Sequence, residues 1–277
     1  MTIAHNISIH PVFIFLFIIS IFTGMFVQFF IVSMIVCIHE LGHVIAAKYY
    51  KWDIPTVSFH FFGGVMETTE WMNRPINECM IVTIAGPIQH AFIFLFLNIV
   101  ALFPIVPASL LLEIHYFNLL LCVFNLLPIM PLDGGRMLFY IVLKKLPYYF
   151  SYQLIVIFSL FLLAFLYVMY YYMYNFHLTV LLLTIFLFLE NVRIFQERHF
   201  QFLRFLMQKK RINERRKVIY CQREDHIKKL IKNLYKEKQT QFHIIDETIV
   251  GEREIRDAFF DSRGYHMTIY QWLKIKR

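Results

Sequence analysis

The sequence predicts a polytopic α-helical membrane protein of about six transmembrane helices, with a membrane-associated β-hairpin and a small α/β cytoplasmic tail. Three observations carry that prediction. Of the 277 residues, 58% are hydrophobic and 31 are phenylalanine, far from soluble globular usage. Charge is split along the chain. Residues 1–193 hold 7 Lys/Arg and 8 Asp/Glu, net −1, while residues 194–277 hold 20 and 11, net +9. The run from Pro11 to Tyr50 is about 40 residues long, twice what one helix needs to cross the hydrocarbon.

Breaking that run near Thr23-Gly24 gives spans near 11–23 and 28–49, the first of them short. Further spans are expected near 79–102, 112–133, 152–172 and 177–193. Basic residues set the orientation. The loop with Lys48, Lys51 and Arg74 and the loop with Lys144 and Lys145 fall on the same side as the basic tail. The opposite loops, near Gly24, Pro104 to Pro107 and Asn175, contain no Lys or Arg. Six spans with both termini cytoplasmic satisfy all of this.

No cleavable signal is expected, because the first ten residues lack Lys and Arg and the apolar run is too long for a signal core. The four cysteines (Cys37, Cys79, Cys122 and Cys221) are scattered and imply no disulfide framework. A basic tail beside a membrane domain meets anionic headgroups more simply than nucleic acid, so no direct nucleic-acid binding is expected.

Between the second and third spans lies IPTVSFHFFGGVMETTE, residues 54–70. Its β-branched and aromatic residues surround Gly63-Gly64, which predicts a hairpin turning at the glycines. An ordinary interfacial loop is the bland alternative. The functional reading makes Phe62, Gly63 and Gly64 part of an edge that pairs with an extended substrate backbone.

The chemistry starts at His39-Glu40-Leu41-Gly42-His43, which follows a stretch without charge from Pro11 to Ile38. Two imidazoles four residues apart share one helix face, where both can hold a single zinc, and Glu40 is placed to take a proton from an activated water. By this chain's own His and Glu frequencies the pentapeptide would arise by accident roughly 0.02 times. Such groups at membrane depth are costly, and that cost makes them a functional hypothesis. The pattern points to a zinc peptidase working within the bilayer.

Zinc then needs a third protein ligand. The carboxylates in or near the later spans are Glu78, Glu113, Asp133 and Glu190. His39 lies nine residues before Lys48, and Asp133 eleven before Lys144, on segments expected to run the same way. Glu78 and Glu190 sit at span ends, and Glu113 starts its span on the far side. Asp133 is therefore the preferred ligand. Its surroundings, Asn125-Leu-Leu-Pro128-Ile-Met-Pro131-Leu-Asp133-Gly134-Gly135, predict a broken helix of the kind tolerated where it lines a cavity. Asn125 could contact a neighbouring helix or a substrate equally well. Arg136 is expected at the cytoplasmic surface.

HELGH in one span, Ala85-Gly86-Pro87 in the next and NLLPIMPLDGG in the following one resemble the site-2 protease family of intramembrane zinc peptidases. The FGG run, RPINE after Met72-Asn73 and IAGPIQH resemble that family's sporulation branch. The resemblance implies metal ligands at His39, His43 and Asp133, a general base at Glu40 and a substrate-positioning role for Asn125. It further implies a pro-sigma-K-like substrate whose pro-sequence is removed, small inhibitory membrane partners, and residence in the mother-cell membrane around the forespore.

Three domains are expected: a membrane domain over 1–193, a basic amphipathic linker over 194–217 lying along the leaflet, and a tail domain over 218–277. In the tail, Asp225–Tyr235 reads as a helix, Phe242–Ile245 as a strand and Glu252–Phe260 as a helix. That order resembles one cystathionine-β-synthase (CBS) repeat. The resemblance implies ATP as a candidate ligand and a homo-oligomer formed by pairing tails. The rival function is a membrane zinc or ion transporter, which would also keep His and Asp within spans. Against it stand the absence of an internal repeat and a glutamate beside a ligand that transport does not need.

Overall fold

The computed structural model describes residues 6–9, 11–54, 56–60, 63–67, 70–103, 106–209, 216–244, 249–261 and 266–276. The chain divides into two compact units. One comprises residues 1–71, 77–128 and 132–137, the other residues 72–76, 129–131 and 138–277.

The first unit is built on apolar helices α1 (Pro11–Phe22), α2 (Phe26–Tyr49), α3 (Ile76–Val100, all but its first residue) and α4 (Ala108–Leu126). Ile31 and Ile35 of α2 pack with Ile93 and Leu97 of α3, and Leu110, Leu111, Ile114, Phe117 and Leu121 of α4 close over them. Most other apolar side chains on these helices face outward, including Phe30, Phe92, Phe96 and Leu119. An outward surface this apolar is what lipid requires.

A three-stranded sheet accompanies the helices, with β2 (Thr56–His60) between β1 (Asn6–Ile9) and β3 (Gly63–Glu67). β1 runs parallel to β2 and β3 antiparallel to it. The expected hairpin is there, but its turn is not at the glycines. His60 pairs with Gly63 and Phe59 with Gly64, so both glycines belong to β3. The glycines mark a strand start rather than a turn. Phe62 lies outside the described residues. The parallel strand β1 went unrecognised because four residues before an apolar run carry little pattern.

The second unit holds α6 (Tyr148–Tyr174), α7 (Leu178–Gln196), α8 (Arg198–Gln208) and the tail. Tyr148 stacks on Phe205 at 4.2 Å between centroids, with Tyr152 and Phe202 beside it. The tail is a second three-stranded sheet, β4 (Arg216–Cys221) parallel to β5 (Gln239–Ile244), which is antiparallel to β6 (Ile249–Gly251). Along β5 the buried residues alternate as Thr240, Phe242 and Ile244, the period of a strand with one covered face. Ile227, Leu230, Val250, Ile255 and Ile269 of the tail are buried as well.

Five helices among the described residues are long and apolar enough to cross a membrane: α2, α3, α4, α6 and α7. The expected first span, α1, has 12 residues, about 18 Å against a hydrocarbon thickness of about 30 Å. The span expected over 112–133 is two pieces. α4 stops at Leu126, and α5 (Asp133–Leu143) begins at the aspartate. Pro128 and Pro131 explain the break, since each removes a backbone donor and forces the preceding residue towards an extended conformation. Leu127 accordingly has φ −58° and ψ 132°.

Three tail boundaries shift. The helix expected over 225–235 shrinks to α9 (Ile227–Leu230) followed by a 3-10 turn, Ile231–Asn233. The strand begins earlier, at Gln239, and the 252–260 helix is α10 as expected. β4, which begins inside the expected linker, and α11 (Ile269–Lys276) went unrecognised.

Candidate metal centre

His39 and His43 lie one turn apart on α2 and are both buried, at 4% and 8% exposure. Asp133, the first residue of α5, meets both. Its Oδ2 is 3.0 Å from His39 Nε2 and 3.1 Å from His43 Nε2, and the two Nε2 atoms are 3.1 Å apart. Glu40 is half-buried beside them, with a carboxylate oxygen within 4.8 Å of the histidine donor atoms. Thus α2 and α5, 90 residues apart in sequence at His43 and Asp133, bring together all four residues that the sequence nominated for the chemistry.

Glycine makes this convergence possible. A Cβ on Gly86 of α3 would collide with the rings of His43 and His39, and one on Gly42 would collide with the backbone of Ala85. The glycine of AGP and the glycine of HELGH therefore let α3 press against the ligand face of α2. A Cβ on Gly134 would strike the carbonyls of Leu126 and Leu127, so that glycine lets α5 start directly against the end of α4. Pro87 lies inside α3, where it deletes one helical hydrogen bond. Five residues before it, the Val82 carbonyl accepts a hydrogen bond from His43 Nδ1 at 2.8 Å.

That bond tests whether a metal suits the site. A carbonyl only accepts, so the ring proton of neutral His43 is on Nδ1 and its Nε2 carries a bare lone pair. This lone pair points at the Asp133 carboxylate and the Nε2 of His39, a meeting of acceptors that a cation at the centre would turn into ligation. The spacing fits as well. Tetrahedral donors bound to zinc at about 2.0–2.1 Å stand about 3.3–3.4 Å apart, close to the 3.0–3.1 Å observed. Two imidazoles and one carboxylate are a zinc donor set that leaves the metal's fourth position to water.

The rejected carboxylates are engaged elsewhere. Glu113 accepts from Gln28 Nε2 at 2.8 Å, and Glu78 faces Trp52 Nε1 at 3.4 Å. Glu190 lies 3.9 Å from Arg193 near the end of α7. Arg136 is exposed. Asn125 is half-buried on the last turn of α4, and among the described residues no hydrogen bond joins it to the three donors. Gly63 and Gly64 lie in β3, which runs along α2 and whose edge away from β2 carries no strand among the described residues.

Sequence reasoning missed His90 of α3 and Asn118 of α4, both buried. His90 Nε2 is 3.1 Å from His39 Nδ1, and His90 Nδ1 is 2.8 Å from Asn118 Oδ1. The signal was available, since each is a polar group in the middle of an apolar span.

Comparison with known proteins agrees with this geometry. The model of peptidase family M50 matches residues 27–107 and 104–167. Stage IV sporulation protein FB of Bacillus subtilis (strain 168) is 29% identical over 242 residues, 87% of this chain and 81% of that protein. A zinc metalloprotease of Methanocaldococcus jannaschii is 36% identical over 126 residues, 44% of this chain and 36% of that protein. The solved site-2 protease from Methanocaldococcus jannaschii superposes with a TM-score of 0.53 at 28% identity, covering 68% of this chain and 89% of that one. None of these relatives supports the transporter reading. With helices able to span a membrane, a zinc-sized donor triangle and a family match across residues 27–167, this chain belongs to peptidase family M50 and is a zinc metallopeptidase of the site-2 protease type.

Proposed function

We propose that this protein is an intramembrane endopeptidase in which His39, His43 and Asp133 hold the zinc and Glu40 is the general base. The observation that carries the reading is the donor triangle of 3.0–3.1 Å edge with a glutamate beside it, on a helix apolar enough to span. Zinc, when bound, supplies a Lewis acid for the scissile carbonyl and makes water acidic enough to lose a proton near neutrality. Glu40 takes that proton as water attacks and returns it to the leaving amine. Asp133 contributes the one negative charge among the three ligands, and each imidazole would bind through a nitrogen lone pair.

The peptide must be extended for its carbonyl to reach this site, so a helical or folded substrate has to unwind first. The open edge of β3 is the proposed holder of the unwound strand, offering its backbone groups for pairing. Asn125, on the last turn of α4, is the proposed side-chain contact to that strand.

The proposed substrate is a pro-sigma-K-like protein that loses its pro-sequence during sporulation, in the mother-cell membrane around the forespore. Likeness to stage IV sporulation protein FB over 87% of the chain supports it. Both termini are proposed to be cytoplasmic, with α8 along the leaflet. α8 supports this with an exposed apolar stripe, Phe200, Leu203 and Met207, bordered by Arg204. The tail, in the order β4, α9, β5, β6, α10, is proposed as a CBS-like regulatory unit that pairs with a second copy and takes ATP, with small membrane proteins as inhibitors.

Co-expression of a pro-sigma-K-type substrate with the intact chain and with Glu40→Gln tests the core of the proposal. The intact chain should release the shortened product. The variant should keep its zinc and its insertion while cleavage falls by about 10²–10⁴-fold, the usual worth of a positioned general base. Undiminished cleavage by Glu40→Gln would falsify the assigned mechanism.

A further inference from the structure

The hydrogen bonds behind His39 have a direction, and one backbone atom fixes it. The carbonyl of His90 can only accept, and Asn118 Nδ2 donates to it at 2.9 Å. The amide of Asn118 is thereby oriented, so its Oδ1 is the atom 2.8 Å from His90 Nδ1. An amide oxygen accepts, and the ring proton of His90 is therefore on Nδ1. Neutral His90 then has its lone pair on Nε2, which lies 3.1 Å from His39 Nδ1. His39 must donate there, which leaves its Nε2 bare. That Nε2 is the nitrogen 3.0 Å from Asp133 Oδ2 and 3.1 Å from His43 Nε2.

We propose that His90 and Asn118 are positioning residues that hold His39 in its metal-binding tautomer, through one hydrogen-bond chain crossing α4, α3 and α2. Burial makes the chain decisive. His39, His90 and Asn118 are exposed by only 4%, 2% and 3%, so bulk water cannot substitute for a missing partner. If Asn118 were flipped, its amide would no longer donate to the His90 carbonyl, and two acceptors or two donors would face each other. Metal-ligating histidines usually give their second nitrogen to a carboxylate, a carbonyl or water. A neutral imidazole here supplies the acceptor without adding a second negative charge to an apolar interior, where each charge is expensive. His43 reaches the same tautomer by another route, the Val82 carbonyl.

The inference rests on the ligand set proposed above, and the test separates the two. The full chain in lipid nanodiscs would be stripped of metal and titrated with zinc against a chelator of known affinity, with cobalt(II) as a spectroscopic probe. Wild type, His90→Phe, His90→Gln, Asn118→Leu and the His90→Phe/Asn118→Leu double variant would be compared. Thr83→Val serves as control, because Thr83 is buried on α3 and its hydroxyl donates to its own helix at Cys79.

Zinc affinity should fall about 10–100-fold in His90→Phe and Asn118→Leu, the usual cost of losing such a partner. The cobalt(II) absorption bands should move in both. His90→Gln should recover part of the loss, because its side-chain carbonyl can still accept from His39. The double variant should lose no more than about threefold beyond His90→Phe, since both changes cut one chain. Affinity within threefold of wild type in His90→Phe with an unmoved cobalt spectrum would overturn the proposal, as would equal losses in His90→Gln and His90→Phe. Should His90→Phe not insert, Asn118→Leu decides alone, and unchanged affinity there overturns it. A wild type that binds no zinc would sink the ligand assignment instead.

Discussion

Gly86 of α3 lies against the imidazole of His43 so closely that a methyl group on its Cα would overlap Nε2 and Cε1 of that ring. The same methyl would come within 2.8 Å of His39 Cε1. The glycine of AGP is thus a wall of the proposed metal site, although it supplies no ligand.

Gly86→Ala should therefore push both rings away from Asp133. Ile88→Ala, at an exposed position on the same helix, serves as its control. Overpacking of this kind costs about 1–3 kcal/mol, and here the strain falls on the donor triangle. Zinc affinity, read by chelator competition, should drop about tenfold or more in Gly86→Ala. Retained affinity would mean that the helices or the rings yield by about 1 Å at no cost to the site.

The legibility of this fold in its sequence varied with the range of the interactions involved. His39, Glu40 and His43 were readable because their spacing is a helix period and their setting is apolar. Asp133 was readable from depth counting, although it begins α5 rather than ending a span. Pro128 and Pro131 were seen, but as features of one broken helix rather than as the boundary between two. Gly63 misled, because a glycine pair signals close backbone approach as well as a turn, and here it pairs with His60 inside the ladder. β1 and β4 were invisible because their stability comes from partners 50 and 23 residues away in sequence, Asn6 with Thr56 and Arg216 with Gln239. His90 and Asn118 were missed for a related reason. Their meaning lies in contacts across three helices, which no local pattern encodes.

Asp133→Asn should weaken zinc retention and cleavage together. A neutral amide oxygen is a poorer ligand for a dication than a carboxylate, and the site would lose its only negative ligand. Metal content of the purified protein should fall at least about tenfold under chelator. Glu113→Gln should leave it unchanged, because Glu113 is bonded to Gln28 instead. Loss of zinc in Glu113→Gln with retention in Asp133→Asn would reverse the choice of third ligand.

α8 is apolar on two opposite sides. Phe202, Phe205 and Leu206 are buried against protein, whereas Phe200 and Met207 are 63% and 68% exposed and Leu203 lies between them. If the second stripe rests in the headgroup region, single cysteines carrying a fluorophore at 200, 203 and 207 should be quenched by lipid-borne nitroxides. A label at Gln208 should instead be quenched by water-soluble iodide. The four native cysteines would first be replaced. Equal iodide access at all four positions would show a helix free of the membrane.

β3 should be a substrate-binding edge and not a passive connector. Among the described residues it pairs with β2 on one side only, its register running from Thr56 opposite Glu67 to His60 opposite Gly63. Every second N–H and C=O along the other side is then available to an incoming strand. β3 packs on α2, the helix that carries His39 and His43, so a strand added there would be held extended against that helix. Cysteines placed along β3 should cross-link to cysteines flanking the cut site of a pro-sigma-K-type substrate, in a Glu40→Gln background that stops turnover. The links should alternate in yield along β3 with a period of two, as strand pairing demands. Val65→Pro in the active chain should reduce cleavage while zinc content holds, because proline removes an N–H and resists pairing. Cross-links that form only to the tail, together with normal cleavage by Val65→Pro, would leave the sheet as a connector.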